Sequence, residues 1–454
     1  MPIQTLNPTT EKIEKTFSED SEEIIREKID RAQAAFQSWK DVSVPERARM
    51  LRAVADRLEE GKRDYAVLMA REMGRPVTAG VSEIVKCAWV CRYYAENAET
   101  MLAREDIVCD SEKSYVRFDP IGIILAVMPW NFPFWQVFRS AAPALMAGNV
   151  YLLKHASNVP QCAQAIEDVF RAARFPAGIV GNMFLSSSRV ETVVADPRVR
   201  AVTLTGSEGA GSAVAAAAGK NLKKSVLELG GSDPFLVFPD CDIESVAGTA
   251  AADRLRNAGQ TCVAAKRFII HERIADEFIT QFKKHVEEYI VGDPMDERTQ
   301  MGPLASETIL EDIGYQVAES VRKGATILTG GSRLAREGFF FAPTILTNVG
   351  PGMPAYDEEL FGPVASVIVA HGDEDMIRRA NDTPYGLGAS IWTRDKEKAE
   401  RIAGLLDAGF VAINAMVQSD PRLPFGGVKR SGYGRELAQY GIREFVNIKT
   451  VSIG

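Results

Sequence analysis

The sequence has little of what marks membrane, secreted or nucleic-acid-binding proteins. A membrane-spanning helix needs about 18 uninterrupted apolar residues, and no stretch of the sequence approaches that length. The N-terminal MPIQTLNPTTEKIEKTF has no basic region followed by an apolar run. Charges of both signs are interspersed at a formal net charge of −8, so there is no basic stripe for nucleic acid. We therefore expect a cytoplasmic protein that binds neither membrane nor nucleic acid.

Cysteine and histidine are also sparse. The chain has six cysteines and four histidines, both scattered, and no C-x-x-C pair. This pattern favours a reducing compartment over a disulfide scaffold and offers no structural zinc site. We predict no bound metal.

The chain is large and shows two patterns of apolar residues. Its 454 residues, 46% of them hydrophobic, are enough for two or three domains. Residues 21–105 carry apolar side chains three and four apart, which predicts helices. From residue 121, and again from about residue 233, short apolar runs alternate with helical stretches. We predict an α/β protein with two stacked Rossmann-like parallel-sheet domains.

The last segment, GIREFVNIKTVSI, alternates polar and apolar residues like an exposed edge strand. An edge strand usually has to be covered, often by another subunit. We therefore expect a small β oligomerisation element and a homodimer or homotetramer.

Three segments carry residues suited to acyl chemistry. Cys262, in RNAGQTCVAAKRF, lies between a predicted helix and strand and is a candidate thiolate nucleophile. Glu228 ends the apolar strand of LELGG, where a desolvated carboxylate suits a general base. Asn131, in MPWNFPFW, can donate a hydrogen bond to an oxyanion. Each alone is common as a buried thiol, a salt-bridged glutamate or a turn asparagine, so only the ordered combination is specific.

Seven ordered motifs make the sequence resemble the aldehyde dehydrogenase superfamily over essentially its full length. They are PWNFP (129–133), LLK (152–154), TGS (205–207), LELGG (227–231), GQTC (259–262), EELFGPV (358–364) and PFGGVKRSG (424–432). The resemblance implies Cys262 as nucleophile, Glu228 as general base, and Asn131 with the Cys262 backbone N–H as oxyanion hole. It also implies hydride transfer to a nicotinamide and hydrolysis of a thioester to a carboxylic acid. We assign residues 1–101 and 121–230 to a cofactor-binding domain, 231–430 to a catalytic domain, and 102–120 with 431–454 to the oligomerisation element.

The sequence has no G-x-G-x-x-G dinucleotide fingerprint. Instead, TLTGSEGAGSAVAAAAG predicts a strand, a turn and an alanine-rich helix. Backbone N–H groups at Gly206, Ser207 and Gly211, with the helix start, are candidates to receive a pyrophosphate.

The family resemblance implies further cofactor contacts. Trp130 and Lys154 match positions that line the cofactor cleft, and Glu359 and Phe361 match positions near the nicotinamide ribose. NAD-preferring members resemble one another in a glutamate three residues after the lysine, where this chain has Ser157. Because a hydroxyl does not repel a 2′-phosphate, we predict NADP as cofactor, with NAD possible at lower efficiency.

Arg139 and Arg256 are candidates to clamp a substrate carboxylate, with Ser419 as a further donor. These three match positions by which succinate-semialdehyde dehydrogenases resemble one another, and the chain is most like their shorter bacterial and cyanobacterial-type members. We predict oxidation of succinic semialdehyde to succinate. Glutaric semialdehyde is the close alternative, because one methylene discriminates by only about 1–3 kcal/mol. In the alternative interpretation, either arginine simply pairs with a surface carboxylate.

The sequence departs from many relatives at two positions near the predicted site, and two other functions are compatible with the scaffold. Ser140 stands where many relatives have a lysine, which leaves the proton relay from Glu228 open, and Ala264 excludes a redox cysteine two residues beyond Cys262. A CoA-acylating enzyme needs no hydrolytic base, so Glu228 argues against it. A catalytically inactive binding protein on the same scaffold is the alternative from another class.

Overall fold

The computed structural model describes residues 3–454, so residues 1–2 of the predicted cofactor-binding domain lie outside the described residues. Its strands are β1 (Ile3–Asn7), β2 (Lys12–Phe17), β3 (Glu105–Ile107), β4 (Lys113–Pro120), β5 (Ile123–Met128), β6 (Val150–His155), β7 (Val180–Asn182), β8 (Val199–Thr205), β9 (Lys224–Glu228), β10 (Pro234–Val237), β11 (Arg267–His271), β12 (Thr326–Thr329), β13 (Thr344–Thr347), β14 (Val364–Ala370), β15 (Gly388–Trp392), β16 (Phe410–Ile413), β17 (Gly432–Tyr433) and β18 (Val446–Ile453).

The helices cover the sheets and form a separate N-terminal layer. They are α1 (Glu22–Trp39), α2 (Val44–Glu60), α3 (Lys62–Met73), α4 (Val77–Met101), α5 (Trp135–Met146), α6 (Pro160–Ala172), α7 (Val190–Ala195), α8 (Glu208–Lys220), α9 (Ile243–Leu255), α10 (Ala275–Glu287), α11 (Glu307–Arg322), α12 (Pro354–Asp357), α13 (Asp373–Asn381), α14 (Lys396–Ala403) and α15 (Ala438–Glu444). No helix within residues 3–454 is long and apolar enough to cross a membrane.

Helices α1 to α4 confirm the predicted helical layer. The hydroxyls of Ser21 and Ser43 accept hydrogen bonds from backbone N–H groups in the first turns of α1 and α2, which satisfies donors that a helix start otherwise leaves free. The hairpin of β1 and β2 precedes this layer and was not predicted. Helix α4 packs on α2, α3 and α5, and so joins the helical layer to the first sheet.

The first large sheet has the strand order β17-β9-β8-β5-β6-β7. All neighbours are parallel except β17, which runs antiparallel to β9. Strand β6 is buried throughout and β5 almost throughout, as expected for a sheet covered on both faces. The carboxyl ends of β5, β6, β8 and β9 meet at one edge, where parallel sheets place ligand sites.

The second large sheet has the order β12-β13-β14-β11-β10-β15-β16 and is parallel except for β12. The chain passes from the first sheet to the second between β9 and β10. Two parallel sheets with helices confirm the predicted α/β class and its two-sheet organisation.

A third sheet, β18-β4-β3, is antiparallel and combines residues from 102–120 and 431–454. The predicted continuous strand from Gly441 is wrong in its first part, because residues 438–444 form α15. Ile442 and Phe445 are both buried and lie three residues apart, which is a helical spacing that the strand pattern concealed.

Candidate active site

The loop that follows β5 carries the PWNFP segment and is fixed by two buried side chains. A Glu83 carboxylate oxygen accepts hydrogen bonds from the backbone N–H groups of Phe134 (3.0 Å) and Trp135 (2.9 Å). This negative charge caps α5, which has no side-chain cap of its own. Burial lowers the pKa of His155 to about 4, so its ring is neutral and Nε2–H donates to the Pro133 carbonyl at 2.9 Å.

The nucleophile loop connects α9 to β11 through a short 3₁₀ turn at Arg256–Gly259. Residues 257–259 all have positive φ values, of 54°, 54° and 73°. A side-chain carbon at Gly259 would lie 2.0 Å from the Gly362 carbonyl oxygen, so the position requires glycine. The GQTC motif therefore keeps its glycine for a tight turn that leads into Cys262.

Lys266 fixes the same loop from behind. Its Nζ donates to the carbonyl oxygens of Cys262 (2.7 Å) and Thr261 (2.9 Å) and lies 3.3 Å from Glu359 Oε1. Glu359 also accepts a hydrogen bond from the Gly231 N–H at 3.1 Å. Burial lowers the pKa of Lys266, and the Glu359 carboxylate opposes that shift. One buried cation thus ties the nucleophile loop to Glu359.

Asn131 is bonded directly to the nucleophile loop. Its Nδ2 donates to the Gln260 backbone carbonyl at 3.1 Å, and the backbone carbonyl of Asn131 accepts from Asn257 Nδ2 at 2.8 Å. The side chain is 4% exposed, and its Oδ1 has no hydrogen-bond partner within residues 3–454. Asn131 and Cys262 line the same cavity, as an amide that serves an oxyanion at this cysteine requires.

Two cavities meet at Cys262. The first, of about 350 Å³, we call the cationic cavity because four cations line it: Arg75, Lys86, Arg139 and Arg256. The second, of about 290 Å³, we call the glycine cavity, and it is lined by Gly206 and Gly230 at the carboxyl ends of β8 and β9. Cys262 belongs to both, so a molecule in either cavity reaches the sulfur.

The structure brings all three predicted substrate residues to the cationic cavity, but both arginines have protein partners. Arg139 forms an ion pair with Glu436 and donates to Thr205 Oγ1 at 3.2 Å. Arg256 pairs with Asp253 at 3.0 Å. Ser419 Oγ accepts a hydrogen bond from Lys86 Nζ at 2.8 Å.

Five of the predicted cofactor residues line the glycine cavity: Trp130, Gly206, Ser207, Glu359 and Phe361. Lys154 and Ser157 do not line it. They lie at the carboxyl end of β6, where Lys154 pairs in register with Val127 of β5, a few residues before Trp130. They therefore extend the same sheet edge beyond the cavity.

Gly211 lies inside α8 rather than at its start. A side-chain carbon there would lie 2.5 Å from a methyl group of Leu229, so this glycine lets the helix pack against LELGG. Ser207 caps α8, with its Oγ accepting from the Ala210 N–H at 3.4 Å. The helix start that faces the glycine cavity is thus marked by Ser207 and not by Gly211.

Glu228 is 2% exposed, and neither carboxylate oxygen has a hydrogen-bond partner within residues 3–454. It lines neither cavity. Burial, and then repulsion from the Glu436 carboxylate, hold its pKa well above the ordinary range, while Arg139 and Arg435 oppose the shift. A side-chain carbon at Gly426, in the PFGG motif, would lie 2.7 Å from Glu228 Oε1, so that glycine leaves room for the carboxylate.

Cys262 is a weak acid in this environment. Burial raises the pKa of its thiol to about 11, and the positive charges of Arg139 and Lys266 only partly offset that effect. The arginine is less effective because Glu436 neutralises it. The thiol is therefore protonated at neutral pH in the structure as it stands.

Six charged residues of the site were not predicted from the sequence: Arg75, Glu83, Lys86, Asp253, Lys266 and Glu436. None belongs to the motif segments that suggested a site, except that Lys266 follows GQTC closely. The available signal was the pair of charges in the otherwise apolar helix VSEIVKCAWVC, which places Glu83 and Lys86 three residues apart on one helix face. Within residues 3–454, no group of three or more His, Cys, Asp or Glu side chains is placed to hold a metal ion.

A cysteine where two cavities meet, in a chain with two largely parallel sheets, suits an enzyme that forms a covalent intermediate, and comparison with known proteins identifies the family. The model of the aldehyde dehydrogenase family matches residues 1–451, and the chain belongs to that family. The predicted family is confirmed.

Three of the similar proteins carry informative names. The chain is 48% identical, over 100% of both chains, to a Synechocystis sp. protein named probable succinate-semialdehyde dehydrogenase (NADP(+)). It is 49% identical, over 100% of both, to succinate-semialdehyde dehydrogenase (NADP(+)) 1 of Mycobacterium tuberculosis. Its structure matches that of succinic semialdehyde dehydrogenase from Streptococcus pyogenes in complex with NADP+, with TM-score 0.97, 38% identity and 99% of each chain covered.

Proposed function

We propose that this protein oxidises succinic semialdehyde to succinate with NADP as the hydride acceptor. The observation that carries the proposal is the position of Cys262 between the cationic cavity, which suits an anionic aldehyde, and the glycine cavity, which suits a phosphate-bearing cofactor. The names of the similar proteins agree with this activity.

In the proposed mechanism, the Cys262 thiol first loses its proton to water, and the thiolate then attacks the aldehyde carbon, so that the carbonyl oxygen becomes an alkoxide. Asn131 Nδ2 and the Cys262 backbone N–H donate hydrogen bonds to that oxygen, where negative charge develops. Lys266 holds the loop that presents both the sulfur and the N–H. NADP, when bound, supplies the acceptor for the hydride that leaves the carbon, and a thioester remains on Cys262.

Glu228 completes the reaction by accepting a proton from water, whose oxygen attacks the thioester carbon. The C–S bond breaks, the carboxylic acid leaves, and the sulfur is restored. A carboxylate whose charged form is disfavoured by burial is a stronger proton acceptor than an ordinary glutamate.

The residues at the end of β6 fit the proposed preference for NADP. Lys154 is 5% exposed and has no carboxylate partner within the described chain, and burial lowers its pKa. Ser157 places a hydroxyl rather than a carboxylate nearby. A 2′-phosphate at this edge would meet an unneutralised cation and no anion.

We propose further that the chain is cytoplasmic, has the domain bounds predicted above, and forms a homodimer or homotetramer through β3, β4 and β18. Ile107 on β3 and Ile448 on β18 are 49% and 61% exposed, so this sheet presents apolar side chains that a second subunit would cover. Light scattering on the eluting protein tests the assembly, and a monomer at micromolar concentration would contradict it.

The activity is tested by a matrix of aldehydes against both cofactors, followed at 340 nm. Succinic semialdehyde with NADP should give the highest kcat/KM. A higher value for glutaric semialdehyde would reassign the substrate within the same cavity. No absorbance rise with any pair would identify a binding protein on this scaffold, and dependence on free CoA would identify an acylating enzyme.

The arginine clamp is tested by alanine at both positions. Arg256→Ala and Arg139→Ala should each raise KM for the semialdehyde while sparing butanal, which has no carboxylate. Arg139→Ala also leaves Glu436 buried and without its cation, so it should lose about 3–5 kcal/mol of stability. Arg256→Ala leaves Asp253 buried in the same way, but Asp253 keeps the hydrogen bond from the Ala265 N–H, so its loss should be smaller. Equal losses for both aldehydes would refute the clamp.

A further inference from the structure

The cationic cavity has a charge pattern that the predicted arginine clamp does not explain. Each of its three arginines has its own carboxylate within the protein, and the pairs are Arg75 with Glu83 (3.0 Å), Arg256 with Asp253 (3.0 Å) and Arg139 with Glu436. An arginine that is already paired offers a substrate anion only the part of its positive charge that its partner leaves unneutralised.

Lys86 is different. Among residues 3–454 it has no carboxylate within salt-bridge distance. Its Nζ donates to Ser419 Oγ at 2.8 Å and lies 4.3 Å from the centre of the Trp135 ring. A hydroxyl and an aromatic face hold the ammonium in place without neutralising it. The cavity therefore carries one unbalanced positive charge, and it lies on Lys86.

We infer that Lys86, together with the hydroxyl of Ser419, binds the distal carboxylate of the substrate and so selects semialdehydes over neutral aldehydes. The inference rests on the proposed function and deepens it. Lys86 comes from α4 of the helical layer, whereas Cys262 follows α9, so the two ends of the substrate contact different parts of the chain.

The energetics favour this assignment. Burial lowers the pKa of Lys86 to about 8, with a further contribution from the positive charge of Arg139. A substrate carboxylate reverses both effects, because it stabilises the charged ammonium that burial and like charge disfavour. The arginines gain less from the same anion, because each already has a carboxylate.

The test is Lys86→Met, which keeps the length of the side chain and removes its charge. KM for succinic semialdehyde with NADP should rise about tenfold to a hundredfold, as expected for loss of a hydrogen bond to a charged group. The kcat should change little, and KM for butanal should stay the same. Lys86→Arg retains the charge and should recover most of the affinity.

Lys398→Met is the matched control, because Lys398 also lies over an aromatic ring, 4.1 Å from Phe238, but outside both cavities. It should leave both KM values unchanged. Fluorescence titration with NADP establishes that each variant is folded, and Lys86→Gln replaces Lys86→Met if the latter fails that check.

The outcomes separate the inference from the proposed function. If the unaltered protein shows no preference for semialdehydes over butanal, the proposed function is wrong. If the unaltered protein prefers semialdehydes and the neutral Lys86 variant keeps that preference, only the inference is wrong. Isothermal titration with succinate gives a readout without turnover, and it should show the same loss of affinity in Lys86→Met.

Discussion

The two cavities that meet at Cys262 are built in opposite ways. The cationic cavity is lined by long charged side chains from several parts of the chain, and their charges are set by partners such as Glu436 and Asp253. The glycine cavity is bounded in part by two positions without side chains, Gly206 and Gly230. A side-chain carbon at Gly230 would lie 2.4 Å from a Glu359 carboxylate oxygen.

This difference separates two kinds of specificity. On the cationic side, a single side chain can be replaced without moving the backbone, so the preferred aldehyde is open to change. On the glycine side, a side chain at Gly230 would displace the Glu359 carboxylate, so selection depends on the backbone as well as on side chains. The preference for NADP over NAD is therefore expected to come from residues outside the glycine cavity, such as Ser157.

The largest expected effect comes from the atom that both cavities share. Cys262→Ser should lower kcat by at least about 10⁴-fold, since a neutral hydroxyl is a far poorer nucleophile than a thiolate. NADP binding, measured by fluorescence, should persist because the volume hardly changes. Activity within tenfold of the unaltered protein would overturn the role of Cys262.

Next is the pH dependence of Cys262 alkylation, which tests whether the cationic cavity activates the thiol. Its pKa is raised to about 11, so the thiolate fraction is small at pH 7 and should grow about tenfold per pH unit up to that value. Iodoacetamide labelling of the cofactor-free protein should accelerate about 10³-fold between pH 7 and pH 10.

Mass spectrometry assigns the label, because Cys109 is exposed and also reacts. If the labelling rate of Cys262 stops rising below pH 8, the cavity charges do lower the pKa of this thiol, and the prediction is wrong.

A smaller effect is expected where the two sides are joined. Lys266→Met removes a cation that holds the Cys262 carbonyl and Glu359, so kcat should fall about 10²-fold through misplacement of the loop. The ion pair with Glu359, whose side chain is 19% exposed, and the hydrogen bonds to two carbonyl oxygens are also lost, at about 2–3 kcal/mol of unfolding free energy measured in urea. Glu359→Gln, which keeps one acceptor oxygen and removes the charge, should lower both kcat and stability less. An unchanged kcat in Lys266→Met would show that Lys266 does not position the Cys262 loop for catalysis.

The smallest effect is a change of cofactor preference. Ser157→Glu should shift the ratio of kcat/KM for NADP over NAD by about tenfold or more toward NAD, because a carboxylate repels the 2′-phosphate. Ser157→Gln has the same length without the charge and should shift the ratio less. Equal ratios in the two variants would locate the cofactor preference elsewhere.

The motif segments could be assigned to turns from the sequence because each turn is local. LELGG spans the end of β9, PWNFP follows β5 directly, and GQTC lies in the short loop between α9 and β11, so their neighbouring residues fix the turn. The ion pair of Arg139 with Glu436 was not predictable, since it joins α5 to a C-terminal segment that only packing brings together. Predicting the paired arginines as free donors was therefore incomplete.

Periodicity also had limits. The glycines after β8 predicted one anion-binding turn, yet Gly211 makes room for Leu229 inside α8, because a glycine required for packing and one required for a ligand look alike in sequence. A different ambiguity affected residues 441–444, which were predicted as strand because polar and apolar residues alternate there. Ile442 and Phe445 lie on the buried side of a helical turn.

Strand β17 adds a consequence for how the chain is made. Gly432 and Tyr433 pair with Glu228 and Leu227 at the edge of the first sheet, although that sheet otherwise ends at residue 228. A ribosome must therefore release nearly the whole polypeptide before this edge closes over the glutamate. Until then the half-built sheet exposes an unpaired strand, a state prone to aggregation that molecular chaperones commonly shield during synthesis.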